Sequence, residues 1–275
     1  MIKNIMSVDL EDYYCDLPFS TWEKFSSRVV ESTNVILDLF EKYKVTATFF
    51  TLGYIAEKHP DLIEEIKKSG HEIASHGYSH TDLRKMTPES FELDLIRSLE
   101  ILRKASGEKV EGFRAPFFSI DKNNLWTFKI MKKHLSYDSS VFPTCTPLYG
   151  IPDALRHIYK MSESDPLHEN DNGDFFELPM ATLKIPLIRN IPIAGGFYLR
   201  FFPFALLKLG IKQLNKSGHS AVFYIHPKDL DPAMPRIPEY AWHYYWGLEG
   251  ASKKFETLLK NFKFCSAREV LLSER

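Results

Sequence analysis

The chain has 275 residues, of which 44% are hydrophobic, 14% aromatic and 26% charged, enough apolar side chain for one sizeable core and no sign of a disordered, collagen-like or coiled-coil chain. Lys and Arg number 35 against 36 Asp and Glu, a net charge of −1, so the basic excess of a protein built around nucleic acid is missing. At this length an α/β barrel forms a single domain, and the sequence holds no run of about 18 uncharged apolar residues of the kind that spans a membrane.

Residues 2–8 (IKNIMSV) read as a short strand running into carboxylates. Residues 32–43 predict a helix from the spacing of Val35, Ile36, Leu39 and Phe40. The β-branched and aromatic run at 45–52 (VTATFFTL) predicts a buried strand. Residues 60–69 follow as a helix with Leu62, Ile63 and Ile66 inward, ended by Gly70, and 71–75 (HEIAS) as a strand. A long amphipathic helix is expected over 87–106, with Pro88 in its first turn. Residues 112–114 enter a strand end, 123–133 read as helical, and Tyr137 begins a DSS segment. Residues 144–200 are rich in proline and contain the polar stretch 162–174; they read as an insertion or long loop beside the site. A helix over 204–215, a strand over 221–225 (AVFYI) and a last helix over 250–262 complete the chain. This β-α-β-α order argues for a parallel sheet covered by helices.

Polar residues follow the candidate strands repeatedly: Asp9 to Asp12, His76, Arg114, Asp138 and His226. In parallel α/β folds the chemistry sits at the carboxyl ends of the strands, so these residues point to one convergent site. His76 and His80, four apart in SHGYSH, can face one metal, because neutral imidazole is a common ligand of zinc, iron and cobalt. A carboxylate is the natural third ligand. Strand alternation places Asp9 and Glu11 on one side, and the acids at 9, 11 and 12 repel one another unless a cation compensates. Arg114 in GFRAPFF is the natural counter-ion, since a guanidinium grips a carboxylate in bidentate fashion. Pro116 stiffens that turn and aims the Phe117 N–H into a cleft, and His226 ends the last clear strand. The three cysteines, Cys15, Cys145 and Cys265, are widely spaced and form neither a disulfide framework nor a zinc cluster.

In their order and spacing, SVDLED, SHGYSH, GFRAPF, YDSS and YIHP resemble the polysaccharide deacetylases of the NodB-homology type, carbohydrate esterase family 4. Downstream, YGIPDALR, FFELPMATL, AGGFYLR and FYIHPKDLDP are similar to the bacterial branch found with exopolysaccharide and surface-glycan clusters, which carries a C-terminal extension. The resemblance implies a distorted (β/α)7-type barrel, here one catalytic domain over 1–275 with a loop-rich insertion at 144–200 and an extension at 228–275. It also implies metal-assisted hydrolysis of an N-acetyl group from an amino sugar. His76 and His80 would be metal ligands, Asp9 the catalytic base, Arg114 its holder, Asp138 the support of the acid side, His226 the general acid, and the Phe117 N–H an oxyanion donor. Pro116, Tyr198 and Arg200 would line the sugar cleft.

Members of the family usually have two adjacent aspartates in the first motif, whereas this chain has Asp9-Leu10-Glu11-Asp12, so the metal carboxylate is open between Glu11 and Asp12. The tyrosine common after the RxP segment is Phe117 here, and the tryptophan common after the DSS-like motif is absent. Zinc is the expected metal, with cobalt, nickel or iron suited to the same ligands. Acidic residues by position 9, in place of a signal peptide, lead to the expectation of a cytoplasmic protein, at the inner membrane face if residues 186–209 meet a lipid carrier. Its partner would then be an N-acetylated precursor linked to a lipid or nucleotide. Two other readings stand beside this one: an allantoinase-like amidohydrolase acting on a small cyclic amide, and a catalytically silent glycan-binding protein.

Overall fold

A computed structural model describes residues 2–162, 165–186 and 188–274. In chain order the strands are β1 (Lys3–Leu10), β2 (Thr48–Thr51), β3 (Glu72–Ser75), β4 (Gly112–Phe113), β5 (Tyr137–Asp138), β6 (Tyr159–Met161), β7 (Phe175–Glu177), β8 (Thr182–Leu183), β9 (Ile191–Pro192), β10 (Val222–Ile225) and β11 (Lys263–Cys265). The helices are α1 (Val29–Tyr43), α2 (Gly53–Lys58), α3 (Pro60–Lys68), α4 (Pro88–Ser106), α5 (Trp126–His134), α6 (Gly196–Phe201), α7 (Phe204–Lys216), α8 (Leu248–Asn261) and α9 (Ala267–Glu274).

The main sheet runs β10-β1-β2-β3-β4-β5-β7-β6, and every neighbouring pair is parallel except β6 with β7. Just beyond β7, Met180 makes a parallel bridge to Val222 of β10, and the Ala181 N–H donates to the Val222 carbonyl. Seven parallel strands thus curl into a distorted barrel whose last seam is one short bridge. The expected (β/α)7-type architecture is the one observed. β1 pairs with β10, β2 and β11 and is buried from Asn4 to Leu10, as a parallel strand covered on both faces must be.

Local chemistry accounts for the element ends. The first helix starts earlier than the apolar spacing predicts because Asp12 accepts from the Arg28 and Val29 amides, filling the anion site of a helix N-terminus. Val35 and Leu93 belong to their helices but face water, so those two positions do not mark the inner stripe. Thr87 caps α4 with Ser90 as its reciprocal partner and Pro88 at the first position, and Gly107 closes the helix in the left-handed region.

The region 144–200 is not only a loop. It supplies β6 to β9 and α6, and through β7 it completes the barrel wall. Residues 163 and 164 of the polar stretch lie outside the described residues; its part at 165–174 leads into the start of β7, whereas the site lies past the strands' carboxyl ends. That part therefore sits at the opposite end of the barrel from the site, where Asp174 pairs with Lys132 of α5 at 2.7 Å. Residues 186–209 act mainly as core: Ile193, Ala194, Leu199 and Leu207 are buried, while Ile188, Phe201 and Leu209 are exposed, and Leu187 lies outside the described residues. No helix among the described residues is long and apolar enough to cross a membrane.

The C-terminal segment is stitched into the same sheet. β11 pairs in parallel with the first residues of β1, and α8 packs on α1, α6 and α7. At the start of α9, the Ala267 and Arg268 amides donate to Thr48 Oγ1 and Glu72 Oε2, at the foot of β2 and β3.

Candidate active site

Ser7, Asp9 and Glu11 share one face at the end of β1. Arg114 leaves the end of β4 with no exposed surface and reaches across to them. Its Nη1 lies 2.5 Å from Asp9 Oδ1 and 2.9 Å from Ser7 Oγ, while Nε and Nη2 donate to the carbonyl and hydroxyl of Ser139. The guanidinium carbon stands 4.1 Å from the centre of the Phe50 ring, with Tyr224 and Phe118 on other sides. Arg114 therefore holds Asp9, as the sequence suggests.

Glu11, His76 and His80 form a buried group whose candidate ligand atoms all lie within 4.8 Å of one another. His76 Nδ1 is 2.7 Å from the Arg114 carbonyl and His80 Nδ1 is 3.1 Å from the Cys15 carbonyl. A carbonyl only accepts, so each Nδ1 carries the hydrogen and each Nε2 presents a lone pair to the site. His80 Nε2 sits 2.8 Å from Glu11 Oε2, yet that oxygen has no hydrogen-bond partner among the described residues. Two imidazole nitrogens and an orphaned, buried carboxylate oxygen are the donor set of a divalent cation, and the residues fit one. Burial pulls the His76 imidazole down to about 4, keeping it neutral. Burial also opposes charge on His80, but the Glu11 carboxylate outweighs it and raises this imidazole.

Asp12, the other open carboxylate, does not join this group. Its oxygens are taken by the Ser27 hydroxyl and by the amides of Tyr13, Arg28 and Val29. The parity of β1 decides the matter: one step past Glu11 the side chain turns toward α1.

His226 follows β10. Its Nε2 faces Asp9 Oδ2 at 3.9 Å and Glu11 Oε1 at 3.6 Å, and its Nδ1 is 2.8 Å from Asp229 Oδ2. Burial disfavours the imidazolium, but the Asp229 hydrogen bond and charge, together with Glu11, more than offset it and raise the His226 pKa. Asp229 itself is buried, which favours its neutral form, but Arg200 and His226 overcome that and hold it well below the carboxylate range. Arg200 pairs with Asp229 at 3.1 Å and also donates to the carbonyls of His243, Tyr244 and Trp246.

Several expected roles are relocated. Asp138 does not support His226: its oxygens accept from the Ser140 amide and hydroxyl, and it lies beside Glu177 across the β5–β7 pairing. Burial and the Asp138 charge raise Glu177 well above the carboxyl range. Arg200 is a buried brace behind Asp229 rather than part of a sugar cleft. Tyr198 is likewise packed inside, its hydroxyl 2.6 Å from that of Tyr149. Pro116 is buried at the start of a short 3-10 turn that exposes Phe117. Phe117 has φ 58° and His80 φ 52°, left-handed conformations that non-glycine side chains rarely adopt and that cluster at functional sites. The flanking amides are committed, Ala115 to Ser140 Oγ and Phe118 to the Ala115 carbonyl. The Cys15 thiol is buried and pushed well up; only its carbonyl serves the site, through His80.

Three charged groups at the site escaped sequence reasoning. Lys228 Nζ reaches Glu11 Oε1 and Asp16 Oδ2, each at 2.7 Å. Asp229 was within reach of inspection, because a carboxylate three residues after His226, with proline between, is a turn-capping pattern. Gly196 makes room for it: a Cβ there would lie 1.7 Å from Asp229 Oδ2.

Comparison with known proteins agrees with this architecture. Residues 18–134 match the family described as Polysaccharide deacetylase, and residues 139–272 match a domain of unknown function, DUF3473. A peptidoglycan-N-acetylglucosamine deacetylase of Bacillus cereus is 38% identical over 96 residues, 35% of this chain and 35% of that protein. A peptidoglycan deacetylase of Helicobacter pylori is 31% identical over 150 residues, 52% of this chain and 50% of that protein. The chain thus spans half or less of the length of these relatives. A solved structure from Mycobacterium smegmatis, assigned to the polysaccharide deacetylases, superposes with a TM-score of 0.63 at 18% identity, covering 98% of this chain and 89% of the other; it shows the shared fold. The chain therefore carries a polysaccharide deacetylase domain over residues 18–134, followed by a DUF3473 region over residues 139–272.

Proposed function

We propose that this chain is a divalent-metal-dependent hydrolase that removes N-acetyl groups from an amino sugar of a polysaccharide or surface-glycan precursor, releasing acetate. The observation that carries the reading is the buried Glu11–His76–His80 group with its unpartnered carboxylate oxygen, beside a separately held aspartate and histidine. His76, His80 and Glu11 would hold the cation, with zinc the expected metal. When bound, it supplies Lewis acidity that lowers the pKa of water and polarises a carbonyl.

The chain's own residues supply the rest. Asp9 is the base: Arg114 fixes Oδ1 and leaves Oδ2 to accept a proton from the attacking water. The Phe117 N–H is the oxyanion donor, and one such donor is worth roughly 3–4 kcal/mol. His226, carrying a proton on Nε2 and held through Nδ1 by Asp229, protonates the departing amine, which is too basic to leave without it. Arg200 and the Asp138–Glu177 pair are positioning groups behind His226 and Arg114. The whole chain is one catalytic unit in this account, because β7, β10 and β11 belong to the same sheet as β1.

The substrate class is tested by acetate release from N-acetylated oligosaccharides, peptidoglycan fragments, and lipid- and nucleotide-linked N-acetyl sugars, with a cyclic ureide as a further substrate. Acetate from the linked precursors alone supports a role on the cytoplasmic side of a membrane. Release from polymers alone refutes that placement, and turnover of the ureide without acetate release refutes the deacetylase reading.

A further inference from the structure

Lys228 stands two residues past His226 in a 3-10 turn (Pro227–Leu230), and its side chain is only 10% exposed. Its ammonium makes two equal contacts of 2.7 Å, with Glu11 Oε1 and Asp16 Oδ2, and lies 5.9 Å from the centre of the Tyr244 ring. The other carboxylates here have their own partners: Arg114 holds Asp9, Arg200 holds Asp229, and the start of α1 holds Asp12. Among the described residues, the charged partners of Glu11 are Lys228, His80 and His226 and those of Asp16 are Lys228 and His80, with the Tyr244 hydroxyl also hydrogen-bonded to Asp16.

A cation that grips one oxygen of a ligand carboxylate has two consequences. It neutralises buried negative charge when no metal is bound, so the site keeps its shape empty. It also puts a fixed positive charge beside an incoming dication and draws electron density from the carboxylate, which weakens the bond that carboxylate makes. The division of labour on Glu11 fits both: Oε1 goes to Lys228, and Oε2 is the oxygen without a hydrogen-bond partner.

We propose that Lys228 is the site's built-in counter-ion, a positioning residue that holds Glu11 ready in the metal-free protein and makes metal binding weaker and more readily reversible than the same three ligands alone would give. The second half of this statement rests on the metal-binding reading above; the first half does not.

The test uses the full chain with Lys228→Met, which keeps length and packing against Tyr244 but removes the charge, with Lys228→Arg as the conservative rescue. Zinc affinity is measured by competition with a chromophoric chelator, and thermal unfolding is followed with and without zinc. The expected result is zinc affinity tighter by on the order of tenfold in Lys228→Met, from loss of the repulsion, and a return toward wild type in Lys228→Arg. The metal-free Lys228→Met chain unfolds at a lower temperature than wild type, zinc raises its midpoint by more than it raises that of wild type, and adding Glu11→Gln recovers part of the metal-free loss. Zinc affinity within twofold of wild type, with unchanged metal-free unfolding, would overturn the proposal and leave Lys228 a packing residue. If wild type binds no zinc, the metal-binding reading fails, while the metal-free unfolding of Lys228→Met and its Glu11→Gln double variant still decides whether Lys228 is the counter-ion.

Discussion

Replacing Arg114 with methionine removes the cation from a pair in which both side chains are almost wholly enclosed, with 0% and 2% of their surfaces exposed. The Asp9 carboxylate would stay under Phe50, Phe118 and Tyr224 with no cation directly on it, and Ser7 and Ser139 would lose a donor. Breaking a buried pair from one side costs about 3–5 kcal/mol, because the remaining charge keeps its desolvation penalty and loses its compensation. Against a total stability of roughly 5–15 kcal/mol for a domain, that leaves a folded but weakened protein. Urea unfolding of wild type and Arg114→Met, followed by tryptophan fluorescence at pH 7.5, reads the size of the loss. A loss below about 1 kcal/mol, the range of an exposed pair, would refute the claim that Arg114 compensates a buried Asp9.

Asp229→Asn removes the carboxylate that raises His226, so the basic limb of the pH–rate profile should move to lower pH and turnover at pH 8 should fall, with bound metal unchanged; a limb that stays in place would sever Asp229 from the acid role. Glu11→Gln and Asp12→Ala should part company: the first loses metal measured by elemental analysis, whereas the second keeps it and loses roughly 0.5–2 kcal/mol of stability as a lost helix cap. His71 is buried with its Nδ1 accepting the Ala47 N–H, and burial lowers its pKa from 6.5 to about 4. A lowered histidine makes the unfolded chain the better proton acceptor between those values. Its share of stability is thus intact above pH 6.5 and is lost as pH falls toward 4, up to about 3 kcal/mol at 1.36 kcal/mol per pKa unit, measurable as an acid shift of the urea midpoint.

Much of this site is legible in the sequence because its first layer is local. Asp9, Glu11, His76, Arg114 and His226 each sit within a residue or two of a strand end, and the strands β1, β2, β3 and β10 announce themselves by apolar composition. Strand parity favours Glu11 over Asp12, and the geometry agrees. The second layer is long-range and was not legible. Arg200 meets Asp229 across 29 positions and Lys228 meets Glu11 across 217, and no local pattern encodes either. Residues 144–200 defeated pattern reading for another reason: β6 to β9 are two or three residues long, too short for alternation to show. Their pairing comes from the barrel that is already present. The resemblance assigns Asp138 to the acid side; its own turn, through Ser140, claims it first.

The central claim is that Glu11, His76 and His80 hold a metal which hydrolysis of an N-acetyl group requires, with His226 acting apart from it. Elemental analysis and acetate release on the same preparations test it most directly, in wild type, His76→Ala, His80→Ala and His226→Ala. The account predicts about one metal per chain and zinc-restorable acetate release in wild type, neither in the two ligand variants, and metal without turnover in His226→Ala. Metal retained in His76→Ala and His80→Ala, or acetate released at the wild-type rate by metal-stripped protein or by His226→Ala, would contradict it.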